Sequence, residues 1–245
     1  MLAALSFVGY REPKGFAGFR PETGARGMGL DYYVHVFNVK SYREKVLPAY
    51  QAFFHKDDPA PLLALLKEII ERLDRDMKLP GPALESKAAY QEYVELLNRT
   101  AHYDPGEDHA VSLGVTEKRL TPKQILVRDN LGSSILFALC VPRDKGVNPE
   151  QNMGRSPLIP YLYKRSERIE DLFTNGDVQG GELEIAIGDS HPQLFTKNDL
   201  QKLSAELERV SAPENPELRK EFDNLRAILK LALGDPDLTL LLSLL

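Results

Sequence analysis

The chain has no tryptophan, a single cysteine and five histidines among 245 residues. One thiol cannot form an internal disulfide, so nothing here requires an oxidising compartment. Cys140 sits in the apolar run Ile135–Val141 and reads as a small buried hydrophobe rather than a nucleophile. No stretch approaches the roughly 20 apolar residues needed to span a bilayer. Met1–Val8 is apolar but lacks the basic start of a signal peptide, and Gly9-Tyr10-Arg11-Glu12 follows at once. These absences point to a cytoplasmic protein of bacterial type with no membrane association. Positive charge is also in deficit: 31 Lys and Arg face 36 Asp and Glu, a net charge of −5. Nucleic-acid binding wants the opposite balance, so nucleic acid is not expected as the main partner. Nucleotide-binding glycine motifs, a phosphate loop, HExxH and CxxC are all missing, and no cofactor is expected.

What is present is an ordinary globular balance, 42% hydrophobic and 27% charged. Residues 1–27 hold five glycines, two prolines and four basic residues with no sustained period. The expectation is a peripheral extension over 1–27 and one globular domain over 28–245.

Leu30–Phe37 alternates as a strand. Leu30, Tyr32, Val34 and Val36 share one face, and Asp31, Tyr33, His35 and Phe37 the other. Both faces are largely apolar or aromatic, so this strand belongs at the centre of a sheet. Glu182–Gly188 also alternates and is expected as a second strand. Helix signals dominate elsewhere. Ser41-Tyr42-Arg43-Glu44 has capping-box form, with Pro48 expected to kink or delay that helix. Asp58-Pro59, Thr121-Pro122-Lys123-Gln124, Ser156-Pro157, Thr196–Asp199 and Pro216 mark further starts. A helix is expected over about 86–98, and one from Ser156 to about Phe173. Ser134–Val141 fits a buried helix or a buried strand, which periodicity cannot separate. Residues 102–116 and 142–157 read as loops. The sum is a helix-rich α+β fold, about seven helices around a small sheet with no βαβ rhythm.

Three segments have residue types suited to chemistry. His102-Tyr103-Asp104-Pro105-Gly106-Glu107-Asp108-His109 could offer His102, Asp104 and His109 to a divalent metal, although His102 and His109 are seven apart and match no helical metal pair. A solvated turn at Asp104-Pro105-Gly106 explains the same residues. Gly188-Asp189-Ser190-His191-Pro192 offers Asp189 and His191 for acid–base work at the end of the expected strand. A self-capping polar turn is the alternative, and adjacency in sequence is not a catalytic triad. The loop 142–157 concentrates Arg143, Lys145 and Arg155 with the amides of Asn148, Gln151 and Asn152, and it leads into an expected helix start at Ser156. Arg143, Lys145, Asn148, Asn152 and Arg155 are the expected binding residues, for a carboxylate, a phosphate or an acidic patch on a partner. Pairing of its arginines with nearby acids is the plainer explanation. His35 and His55 read as packed or surface histidines. Leu238–Leu245 holds six leucines and no charge. It either docks on the core or forms an oligomer contact.

Two functional readings follow. The first is a binding or regulatory protein of accessory, inhibitor or immunity type, acting through a surface for a protein partner or a small anionic ligand. The second is a hydrolase-type enzyme using the 188–192 turn, or a metal at the 102–109 loop, on an anionic substrate.

Overall fold

The computed structural model describes residues 32–74, 87–98, 110–113, 116–119, 121–142, 150–152, 157–177, 181–187 and 192–244. The expected extension over residues 1–27 lies outside them.

The fold is helix-rich α+β. A four-stranded antiparallel sheet has the order β4 (Glu150–Asn152), β1 (Tyr32–Asn38), β6 (Leu238–Leu244), β5 (Gln193–Leu194). Strand β1 is central, as its two-faced apolar pattern requires. It pairs with β6 along its whole length, from Tyr32 opposite Leu244 to Asn38 opposite Leu238. It pairs with β4 over three positions only. The leucine-rich C-terminal segment is therefore an interior strand, with Leu240 and Leu241 fully buried.

Because side chains alternate along a strand, each face of this sheet needs its own cover. Phe37, Leu194 and Leu241 pack on one side with a core drawn from helices α2 (Leu47–Lys56), α3 (Ala60–Asp74), α4 (Lys87–Asn98), α5 (Pro122–Leu126), α6 (Gly132–Cys140) and α9 (Glu182–Ile187). Val34, Val36, Leu240 and Leu242 pack on the other with α7 (Leu158–Tyr163), α8 (Glu167–Thr174), α10 (Lys197–Arg209) and α11 (Pro216–Gly234). The sheet is thus the middle of three layers. A separate pair, β2 (Ala110–Leu113) and β3 (Thr116–Arg119), is also antiparallel.

Several helix starts follow the capping residues. Thr121 and Gln124 exchange reciprocal bonds, as do Thr196 and Asp199. The Asp58 side chain accepts from the Ala60 N–H at 3.0 Å, and the Asn215 side chain accepts from Glu217 and Leu218.

Other expectations need correction. The first helix is capped three residues early: Asn38 Oδ1 accepts from the Ser41 N–H at 2.8 Å, and Ser41 closes the short α1 (Val39–Ser41). The chain then passes through a π-helical turn, Tyr42–Val46, into α2 without stopping at Pro48. The wider turn fits the proline, whose ring would crowd the carbonyl four residues back and whose missing N–H breaks the usual ladder. Glu182–Ile187 is helical, not a strand. Leu183, Ile185, Ala186 and Ile187 are all buried, and a short apolar run buried on several sides carries no usable period. Ser134–Val141 resolves as helix α6 up to Cys140. The helix expected from Ser156 to Phe173 is two, α7 and α8, broken at Lys164–Ser166, where the Ser166 side chain caps the Ile169 N–H. Both expected loops contain a strand: β2 begins at Ala110, and β4 lies within 142–157.

Candidate functional site

One end of the β1 face that looks toward α6 is polar. On this face β1 presents Tyr33, His35 and Phe37 in turn. Directly opposite Tyr33 stand Ser243 on β6 and Asn152 on β4, and directly opposite His35 stand Leu241 and Glu150. Opposed residues of an antiparallel pair share a face. The register therefore draws Tyr33, Ser243 and His35 together at one end, beside the backbone of Glu150–Asn152, and leaves the other to Phe37 and Leu241.

His35 is fully buried. Its ring lies parallel to that of Tyr33, with centroids 5.8 Å apart and planes at 13°, and it meets Phe137 of α6 at 4.9 Å. Neither ring nitrogen has a hydrogen-bond partner, and Ser243 Oγ, on the neighbouring strand, also has none. Most buried polar groups are paired, so two orphans on adjacent strands set this corner apart from ordinary core. Burial disfavours the charged imidazolium and lowers the His35 pKa to about 4. Near neutral pH the ring is uncharged, with one nitrogen able to donate and the other to accept.

The other shifted groups lie in the core or in structural hydrogen-bond clusters. Burial pushes the Cys140 thiol far above its usual value, which suits a core residue and not a nucleophile. Burial also raises the phenols of Tyr42 and Tyr50, and the Tyr50 hydroxyl donates to the Gly132 carbonyl at 2.8 Å. Burial acts to raise Glu206. Hydrogen bonds from Ser166 and Arg168, with the charges of Arg209 and Arg168, outweigh it and hold the carboxyl low. His55 is exposed and lies 3.4 Å from Glu182.

Two surface depressions are also present. A groove of about 580 Å³ between α10 and α11 carries Glu208, Asp223, Arg226 and Lys230, and Arg226 is already paired with Glu208. A cleft of about 550 Å³ between the end of α8 and the start of α10 carries Asp171, Asp177 and Asp199, with Lys202 3.7 Å from Asp199.

Of the expected site residues, Asn152 falls in β4, opposite Tyr33. Arg143, Lys145, Asn148 and Arg155 lie outside the described residues, as do Asp189 and His191, and His102, Asp104 and His109. The Asp189–His191 turn follows helix α9 and not a strand, which removes the strand-end setting that recommended it. Helix α7 is only six residues long and opens at Pro157 with no side-chain cap, so an anion subsite at its start is not carried forward. Among the described residues, no group of three or more His, Cys, Asp or Glu could hold a metal ion, and no helix is long and apolar enough to cross a membrane.

Ser243 and the pairing of His35 with the β4 register are what sequence reading missed. A histidine at an inward strand position and a serine interrupting a leucine run were the available signals.

The polar corner therefore belongs to a helix-rich α+β protein whose antiparallel sheet is enclosed by helices on both faces. No family model matches the chain, and comparison with curated proteins and with solved structures found no match.

Proposed function

We propose that this chain is a cytoplasmic binding or regulatory protein of accessory or inhibitor type. Its recognition surface is the 142–157 segment, and it takes a small anionic ligand or an acidic patch on a protein partner. The observation that carries this reading is β4. The middle of the basic, amide-rich segment is an edge strand of the sheet, with Asn152 opposite Tyr33. Recognition residues are most effective where a rigid element supports them. Arg155 follows this strand by three positions, and Arg143 precedes it by seven. Arginine suits carboxylate and phosphate because its planar fork donates two parallel hydrogen bonds.

The test is an amide chemical-shift titration of the full chain with inorganic phosphate and, separately, with a hexaglutamate peptide. Saturable shifts at Tyr33 and Asn152 are expected with at least one probe. The Arg143→Ala/Arg155→Ala double variant should melt like the parent and lose those shifts. Unchanged binding in the double variant, or no saturable shift with either probe, overturns the reading. Which probe binds tells a small anion from an acidic chain.

A further inference from the structure

We propose that His35 is a pH-sensitive latch: the edge strand β4 stays on the sheet while the ring on the neighbouring strand is neutral, and is released when the ring takes a proton.

The geometry comes first. His35 lies on β1, with a strand on each side. On one side β6 holds β1 through seven register pairs, and on the other β4 holds it through three, with His35 opposite Glu150. The ring is closed above by Phe137 and along its own strand by Tyr33, and neither nitrogen has a partner. A proton on this ring would create a buried cation with nothing to accept from it, a state that proteins avoid by letting water in. Of the two strands that pair with β1 the shorter is β4, and its departure would leave that side of β1 without a strand partner. Release of β4 opens β1 beside His35 at the loss of three register pairs.

Among the described residues, the titratable groups around the ring are few. On its own strand there is Tyr33, and on β4 the register position is Glu150. Helix α6 contributes only Cys140, whose thiol is held neutral by burial, and β6 contributes none. Among the described residues Glu150 is the group that could compete in titrating, and it is separable by substitution.

The size of the effect follows from linkage. Burial lowers the His35 pKa to about 4, and a hydrated ring would return toward the ordinary 6.5. Between about pH 7.5 and pH 4.5 the opening constant should then rise about seventyfold. As regulation of the anion surface, the latch rests on the function proposed above. As a property of the strand it does not, and the experiment reads the strand alone.

Amide hydrogen exchange in the full chain, corrected for the intrinsic pH dependence, gives opening constants for β4 and for the β1–β6 ladder. The expected result is a rise of roughly seventyfold for Glu150–Asn152 between those pH values, with β1–β6 amides changing far less. His35→Leu should flatten the β4 response, and Glu150→Gln should keep it. The latch is overturned if β4 opening rises less than tenfold, if the β1–β6 amides open in parallel, if His35→Leu keeps the response, or if Glu150→Gln removes it. Should His35→Leu not fold, His35→Gln replaces it, and the comparison of β4 with β1–β6 in the unsubstituted chain still decides.

Discussion

Gly132 and Ala186 meet backbone to backbone. A Cβ built on Gly132 would lie 2.7 Å from the Ala186 Cα and 2.9 Å from its carbonyl carbon, and closer still to the oxygen. The backbone at Gly132 is itself ordinary right-handed helix, so space and not conformation demands glycine. Neither neighbour is a flexible side-chain end that can swing away. Gly132→Ala should therefore push α6 from α9 and strain the bond that Tyr50 makes to the Gly132 carbonyl. We expect a loss of about 3 kcal/mol in urea unfolding, the scale of forced overpacking in a tight core. A loss under about 0.5 kcal/mol would mean that the two helices separate freely.

Glu206 ties α8 to α10. Its carboxyl accepts from Ser166 at 3.0 Å, from Arg168 at 3.2 Å and from Arg209 at 2.8 Å. The folded pKa lies below the ordinary 4.5. A depressed acid contributes stability that is full above its unfolded value and is lost as the pH falls through the folded one. The stability gap between the parent chain and Glu206→Gln should therefore be widest near neutral pH and should shrink below about pH 4.5. Paired melts at pH 7 and pH 3.5 measure it. A gap that widens in acid contradicts the assigned sign.

Lys197 is placed on α10 to close another helix. Its ammonium donates to the carbonyls of Ala232, Asp235 and Leu238 at 2.6, 2.6 and 2.7 Å. The first lies in the last turn of α11, and the last lies at the start of β6, so one side chain fixes the corner between them. Lys197→Met keeps the stem and removes the donors. It should lower stability by about 1–2 kcal/mol, with increased exchange confined to residues 232–240. An unchanged exchange pattern there would show that the corner holds without the lysine.

Gln193 carries a buried side-chain oxygen, Oε1, with no partner. It lies 2.8 Å from the point where a Cβ on Gly176 would stand. An orphaned acceptor is destabilising, and an apolar residue of similar shape removes it. Gln193→Met should raise stability by about 1 kcal/mol, read as a higher midpoint with an unchanged denaturant slope. A lower midpoint would show that the carboxamide stabilises this site.

Much of the frame was legible in the sequence for identifiable reasons. Thr121 and Gln124, and Thr196 and Asp199, are local capping partners, so three residues of sequence contain the whole interaction. The two-faced apolar pattern of β1 announced a central strand. What failed was non-local. The run Glu182–Ile187 alternates, yet its helix is chosen by burial among α2, α5 and α6, which no window of six residues can contain. The polar corner was out of reach for the same reason: Tyr33 and Ser243 are brought together only by strand register. The expected site residues Arg143 and Arg155 remain a reading of composition, and Asn152 alone acquires a structural address.

The position of β6 has a consequence for how the molecule is made. Its ladder joins residues far apart in sequence, Tyr32 with Leu244 and Asn38 with Leu238. On the ribosome β1 emerges before β6 and must wait through the synthesis of about two hundred residues before this neighbour exists. Contacts so distant in sequence are slow to form, and a waiting strand with an open flank invites pairing with other chains. Synthesis arrested before residue 238 would leave that flank permanently open, so interrupted translation products of this protein should be handled as aggregation-prone clients of chaperones and proteases rather than as shortened but folded molecules.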